Sequence, residues 1–510
     1  MEKTDELRPQ TITVTVDGIP YSCPSGISLG EVLSNSGAMA MPCGGHGRCG
    51  KCRVKVSGDV SPLTEREDRV LTPAEKQAGI RLACRVSALG DCAVSVPKEQ
   101  GHARIRAEGE LPEFDLLPAF SRIGAAVDIG TTTLAARLYA KDGAKLAEET
   151  RLNPESAWGA DVITRMEAAL AGHADEIAVS IRTAVNNMIA SLTREAGLPD
   201  RSADAAVITG NTVMLHLLTG TDTEPLTHAP FHAKRLFGET VTAQSLFLDA
   251  MAEGAVVYLP PCAGAFVGAD MLCSLLSSEI PKKSGTRLLT DIGTNGEMIL
   301  KHEGRYYAAS TAAGPAFEGA GISMGMGGRD GAIDRVHVED GALVAHVIGD
   351  TEPVGICGSG LVDAVAALLR TEALDETGYL EDDPAEISAP VCLTQDDIRK
   401  VQLAKSAIHA GLRTLLTTAG TDCSAVEELG VAGGFGSYLD IGNAGFIGLL
   451  PEELLPRVRI LGNAALAGAS MLLLSRGLRG TCEALARETE LVSLAANPDF
   501  AAEYMERMMF

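Results

Sequence analysis

Positive charge is what this chain has least of relative to its size. Among 510 residues, 43 Lys and Arg face 67 Asp and Glu, for a net charge of −24. A nucleic-acid binder needs a basic stripe, so that class is excluded, and docking on an anionic membrane surface is disfavoured for the same reason. Local phosphate binding is untouched by this argument, because backbone amides hold phosphate whatever the global charge. Aromatics are sparse at 4%, in an otherwise ordinary globular balance of 46% hydrophobic and 22% charged residues. Long apolar runs are missing too. The longest, around Ala464–Leu474, is too short and too rich in small residues to span a bilayer. The opening MEKTDELRPQ lacks the apolar core of a secretory signal, so a cytoplasmic protein is expected. Disulfide spacing is absent as well: Cys23, Cys92, Cys262, Cys273, Cys357, Cys392, Cys423 and Cys482 are scattered, and read as reduced, mostly buried thiols. The length suggests about three domains.

What the chain does have is a glycine-rich cysteine loop, MPCGGHGRCGKC, at Met41–Cys52. Cys43, Cys49 and Cys52 form a C-x₅-C-x₂-C run, and Cys84 follows in LACRV. Four thiolates, three of them on a loop whose glycines bring backbone amides close to sulfide, suit a [2Fe–2S] cluster. The plant-type spacing is C-x₄-C-x₂-C…C, so one extra residue sits in the first gap. A structural Cys₄ zinc site is the alternative, but a zinc ribbon would show two separated C-x₂-C knuckles.

Around this loop the pattern predicts a strand at Thr11–Val16, an Asp17-Gly18 hairpin turn and a second strand. A capping box, Ser28 to Glu31, predicts a helix through Ser34. Strands are expected at Arg53–Val56, Ile80–Val86 and Cys92–Val96, with a short helix near Pro73–Ala78. Residues 97–121 contain three prolines and little periodicity, and read as a linker: either a flexible tether, which at that length would span roughly 25–30 Å, or a segment packed against its neighbour.

From Ile123 the texture changes. IGAAVDIGTTTLAARLYAKDG is matched by RLLTDIGTNGEMIL at 287–300, an internal duplication of strand, Asp-x-Gly-Thr turn and strand. Neither the Walker-type GxxxxGK[ST] nor GxGxxG occurs at these places. A Gly/Thr hairpin bend presents amide and hydroxyl donors to phosphate, while the preceding aspartate holds hydrated Mg²⁺ or orients a water. Gly130, Thr131 and Thr132, with Gly293, Thr294 and Asn295, are therefore candidate phosphate binders. Asp128 and Asp291 are candidate catalytic residues, joined by Glu297. A third element, VAGGFGSY at 431–438, carries Gly433, Gly434 and Gly436, which would let the backbone approach an adenosine. Gln395–Ala419 is the clearest helix, with Ile398, Val401, Ile408, Leu412 and Leu415 on one face. LPPCAGAFVGAD, AAGPAFEGAGISMGMGG and the Met324/Met326 pair stay open between ligand loops, a contact surface and core packing.

Residues 8–98 resemble the β-grasp fold of plant-type ferredoxins. The order DIGT, DIGT, GGxG is similar to the two phosphate motifs and the adenosine motif of the ASKHA superfamily of sugar kinases and actin. Gly358-Ser359-Gly360 and Gly462-Asn463-Ala464 resemble the starts of its two connecting helices. The expected architecture is α+β and multidomain: a β-grasp [2Fe–2S] ferredoxin domain at 1–97, a linker at 98–121, a middle domain at 122–205 with the first phosphate motif, and a ribonuclease H-like, actin-like body at 206–510.

Together with NPESAWGADVI, GNTVMLHLLTG and VAGGFGSYLDIGNAGFIGLLP, the whole chain resembles the reductive activators of corrinoid-dependent methyltransferases. The resemblance implies a [2Fe–2S] cluster, ATP with Mg²⁺, a corrinoid protein as partner, an upstream electron donor and a homodimer through the body. It implies one-electron return of an inactive Co(II) corrinoid to Co(I). A plant-type cluster sits at about −400 mV, and each ~59 mV of one-electron mismatch is about 1.4 kcal/mol, so a gap of one or two hundred millivolts costs roughly 2–5 kcal/mol. Nucleotide-driven cleft closure is a two-state element able to offset this. The rival readings are a small-molecule kinase with a redox-regulatory ferredoxin domain, an ATP-driven activator of another metalloenzyme, and a non-catalytic scaffold.

Overall fold

The computed structural model describes residues 11–35, 39, 50, 52–96, 111–435 and 438–510. The chain divides into two compact units, residues 1–100 with Pro154–Ala160, and residues 101–153 with 161–510.

The first unit is a five-stranded sheet. Its strands are β1 (Thr11–Val16), β2 (Ile19–Pro24), β3 (Arg53–Val60), β4 (Ile80–Leu82) and β5 (Ala88–Ser95), in the order β2-β1-β5-β3-β4. β1 and β2 form the expected hairpin, and β1 runs parallel to β5. Alternation in TITVTV turns Ile12, Val14 and Val16 inward against Leu29, Val32 and Leu33 of the helix Leu29–Asn35. No capping box forms there among the described residues: the Glu31 amide bonds to the Ser28 carbonyl at 3.1 Å, and the Ser28 hydroxyl donates to the Ala83 carbonyl at 3.5 Å. Two other capping boxes are present: Thr64 with Glu67 opens Glu65–Val70, and Thr72 with Glu75 opens Pro73–Gln77. The strand expected over Ile80–Val86 stops at Leu82. Ala83–Arg85 form a single 3₁₀ turn, with the Val86 amide bonded back to the Leu82 carbonyl.

The second unit holds two six-stranded sheets. In the first, β6 (Ile123–Ile129), β7 (Thr133–Ala140) and β8 (Lys145–Leu152) are successive antiparallel neighbours. β9 (Ala203–Gly210) lies parallel to β6 on its other side, followed by β11 (Val256–Leu259) and the edge strand β10 (Glu239–Thr242). In the second sheet β12 (Thr286–Ile292), β13 (Gly296–His302) and β14 (Arg305–Thr311) repeat the antiparallel run. Val426–Ala432 then lies parallel to β12, and Val458–Gly462 parallel to that strand. The duplicated Asp-x-Gly-Thr motif thus marks a duplicated sheet. A boundary between residues 205 and 206 would cut β9; the change of sheet falls instead between Leu259 and Thr286.

The helices Ala269–Ser277 and Ala464–Leu474 join one apolar core with residues from both sheets, among them Ala126, Val207, Leu289 and Ile299. A second core gathers around Gly358–Arg370 and Gln395–Thr418, and the five face residues expected on the latter helix are all fully buried. Residues 111–121 belong to this unit and are not a free tether. Leu117 and Ala119 donate backbone hydrogen bonds to Leu474 and Leu473, and Phe120 is buried. Residues 97–110, the rest of the expected linker, lie outside the described residues. Met324 packs against the core with its sulfur near the Cys392 amide, the packing alternative for that member of the Met324/Met326 pair. Of the eight scattered cysteines none is in a disulfide, and all but Cys23 and Cys392 are buried.

Candidate functional site

In the first unit, Cys52 is buried at the start of β3, and Cys84 occupies the 3₁₀ turn after β4. Their sulfurs stand 3.2 Å apart, well beyond the about 2.05 Å of a disulfide. Two thiols converging in this way would fit half of a Cys₄ cluster. Cys43 and Cys49 lie outside the described residues. The approach to Cys84 is fixed by Glu67, which has no solvent exposure. Its carboxylate accepts from Arg81 Nε and Nη2 at 2.9 Å each, from the Thr64 amide at 2.9 Å and from the Leu82 amide at 3.1 Å. Burial raises the Glu67 pKa, but these hydrogen bonds outweigh it and hold the group below its usual value. The start of β3 is braced in the same way: Arg53 donates to the Gly50 carbonyl and pairs with Glu75 at 2.7 Å.

In the second unit, Asp128 and Asp291 occupy equivalent ends of β6 and β12. The first turn closes with the Gly130 amide bonded to the Thr133 carbonyl at 3.0 Å; the second is one residue tighter, Ile292 pairing directly with Gly296. Glu297, opposite Asp291 across β12 and β13, is 5% exposed and accepts from the Gly268 amide at 3.0 Å. That amide begins the helix Ala269–Ser277, which brings in Asp270. Four carboxylates therefore share one cleft. Asp128 is pushed up to about 7 by burial and by Asp291; Asp270 to about 7 by burial and by Asp128; Asp291 to about 7 by burial and by Asp270 and Glu318. Glu297 is raised by burial and by Asp270. The three aspartates keep some solvent access, so their mutual repulsion is screened in part. Among the described residues, no three His, Cys, Asp or Glu groups converge at metal-ligand distance. Mg²⁺ here would be held through its waters, as this ion commonly is.

The adenosine candidate Gly433 approaches from the adjoining strand. Its φ is +97°, and a Cβ there would stand 2.6 Å from Asp291 Oδ1. Only glycine allows that loop to lie on the aspartate. Gly434 follows in the same turn, and Gly436 lies outside the described residues.

Sequence reasoning missed the residues that support the first phosphate turn. Asn153 donates to the Gly130 carbonyl at 2.8 Å, and fully buried Arg165 donates to the Thr131 carbonyl at 2.5 Å. Asn211 caps the helix Thr212–Thr219 and reaches the Thr131 hydroxyl at 3.2 Å. Asn463 caps Ala464–Leu474 and lies beside Asp128, where its side chain favours the ionised carboxylate. Asn153, Asn211 and Asn463 sit in stretches already singled out, NPESAWGADVI, GNTVMLHLLTG and Gly462-Asn463-Ala464, but a polar residue before a helix looks the same whether or not it braces a loop; Arg165 lies two residues beyond the first stretch. Asp270 and Glu318 were likewise hidden in glycine-rich loops.

A cysteine pair on a β-grasp unit, joined to a duplicated sheet with facing Asp-x-Gly-Thr turns, defines a redox domain coupled to an ASKHA-type body. The family descriptions that match agree: a 2Fe-2S iron-sulfur cluster binding domain over residues 12–89, the RACo middle region over 123–283, and the C-terminal ASKHA domain of RACo over 285–510. The chain is 36% identical to the corrinoid activation enzyme RamQ of Eubacterium limosum, over 76% of this chain and 70% of that protein. It is 26% identical to the [Co(II) methylated amine-specific corrinoid protein] reductase of Methanosarcina barkeri, over 69% and 70%. A solved reductive activator for a corrinoid, iron–sulfur protein superposes with a TM-score of 0.71 at 26% identity, covering 98% of each chain. This chain belongs to the family of reductive activators of corrinoid proteins.

Proposed function

We propose that this protein returns an inactive Co(II) corrinoid protein to Co(I) by delivering one electron, in a reaction that depends on ATP. The single observation that carries the ATP part is the meeting of the two halves of the duplication: Asp128 and Asp291 lie close enough for the charge of one to raise the pKa of the other. Two phosphate turns facing each other in this way suit a polyphosphate clamped from both sides. A [2Fe–2S] cluster on Cys43, Cys49, Cys52 and Cys84 would supply single-electron transfer at low potential.

The chain's own residues then divide the work. Gly130, Thr131, Thr132, Gly293, Thr294 and Asn295 bind phosphate, while Gly433, Gly434 and Gly436 line the adenosine. Asp128 and Asp291 would hold hydrated Mg²⁺ through its waters and orient the attacking water. Glu297 fixes the helix that carries Asp270. Closure of the cleft on nucleotide is the two-state element, and a corrinoid protein that binds one state better draws the uphill electron transfer forward. An upstream reductase reloads the cluster, two copies pair through the body, and the setting is the cytoplasm. No helix among the described residues is long and apolar enough to cross a membrane.

The test is anaerobic ultraviolet–visible spectroscopy of the iron-loaded protein with a Co(II) corrinoid protein, a reductant and ATP. A Co(I) band that grows only with ATP is expected. Its failure to appear with every native corrinoid partner, or a phosphorylated small molecule as product, overturns the reading.

A further inference from the structure

Glu318, which no motif assigns, touches both phosphate turns. One carboxylate oxygen accepts from the Thr294 amide at 2.7 Å, and the other accepts from the Thr132 hydroxyl. These are donors that the Asp-x-Gly-Thr turns offer to phosphate. Gly293 lies against the same group, since a Cβ on it would stand 3.0 Å from Glu318 Oε1. The Thr294 hydroxyl, on a residue 4% exposed, has no hydrogen-bond partner among the described residues. A free donor thus stands beside the occupied amide.

Glu318 ends a short 3₁₀ turn, Ala316–Glu318. Its neighbour Phe317, 1% exposed, stacks on Phe435 of the GGFG loop with centroids 5.3 Å apart and planes 16° from parallel. One three-residue turn therefore meets both phosphate turns through Glu318 and the adenosine loop through Phe317.

We propose that Glu318 is an internal competitor for the terminal phosphates: its carboxylate takes the Thr132 and Thr294 donors that a nucleotide needs, so binding must displace it, and the stacked Phe317–Phe435 pair carries that displacement to the adenosine loop. The proposal rests on the nucleotide reading of the cleft and adds to it the group that the nucleotide exchanges with. A carboxylate is a fair mimic of a phosphate edge, with two acceptor oxygens and a negative charge. Displacing it costs two charge-assisted hydrogen bonds and sets like charges side by side, so ATP should enter together with its cation. The side chain is already partly exposed, so its displacement needs no unfolding of the core.

The test measures ADP and ATP·Mg²⁺ affinities of the full, iron-loaded chain as wild type, Glu318→Gln and Glu318→Ala. Both variants should bind ADP more tightly, by about tenfold, which corresponds to about 1.4 kcal/mol. The gain should be larger without Mg²⁺ than with it, because the cation screens the repulsion that the variants remove. Two substitutions guard against a folding artefact, and an unchanged melting temperature checks each. If wild type binds nucleotide and both variants bind equally or more weakly, Glu318 assists the phosphates and the proposal is overturned while the nucleotide reading stands. If no form binds any nucleotide, the nucleotide reading fails and takes the proposal with it.

Discussion

Glu67 is the residue on which the geometry of the cysteine pair leans most. It accepts five hydrogen bonds with no contact to water, two of them a fork from Arg81, two from the Thr64 amide and hydroxyl, and one from Leu82, two residues before Cys84. Removing one partner of a buried ion pair leaves the other charge uncompensated. Glu67→Ala should therefore destabilise the first unit by about 3–5 kcal/mol in chemical denaturation. Because the folded pKa lies below the ordinary 4.5, the stability it contributes is present above that value and is lost as pH falls through the lower folded value. The wild-type advantage over Glu67→Ala should accordingly shrink on acidification, read as the difference in melting temperature of the cysteine-bearing unit. A gap that is unchanged or widens on acidification would show that Glu67 is not ionised in the folded state.

At the scale of elements, the joint between the two sheets depends on how closely two helices cross. Gly468 of Ala464–Leu474 lies on the backbone of Ala269–Ser277, where a Cβ would stand 2.1 Å from the Cys273 carbonyl oxygen. Those two helices also carry Asn463 beside Asp128 and Asp270 into the carboxylate cleft, so spreading them would move both. Gly468→Ala should cost about 1–3 kcal/mol by overpacking and weaken nucleotide binding with it. Gly480, in the neighbouring helix Leu478–Glu488, has nothing within 4 Å of its Cβ position. Gly480→Ala should stabilise by about 0.4–1 kcal/mol, chiefly by restricting the unfolded chain. Urea denaturation of both variants checks the contrast; equal effects would mean that the crossing is not tight.

For the molecule as a whole, the first unit has a core of its own, built from Ile12, Val14, Leu29, Leu33, Leu82, Val94 and their neighbours in residues 11–96. The two cores of the second unit draw on residues 111–510. Stripping iron anaerobically with a chelator should therefore abolish the visible spectrum and lower the melting temperature of the cysteine-bearing unit, while ADP affinity, followed by calorimetry, stays within about twofold. A large loss of ADP affinity on chelation would mean that the two units are energetically coupled even without a corrinoid partner.

The architecture was legible because it is local and repeated. Cys43, Cys49 and Cys52 lie within ten residues, an Asp-x-Gly-Thr turn between two apolar strands occurs twice, and a 24-residue amphipathic helix, Gln395–Thr418, advertises its buried face. Patterns of that kind are set by short-range sterics and by burial of one face, so sequence alone determined the β-grasp unit, the doubled sheet and the main candidate residues. What only the tertiary structure decided is which polar side chains from distant segments end up beside those turns. Ser28 turned its hydroxyl to the Ala83 carbonyl, residues 111–121 took the packed alternative over the free tether, and Asn153, Arg165, Asn211, Asp270 and Glu318 converged on the phosphate turns and their aspartates. Their roles depend on distances across as many as 186 positions of chain, as between Thr132 and Glu318. No local pattern encodes such distances, because they are fixed by how the two sheets and their shared helices close on one another.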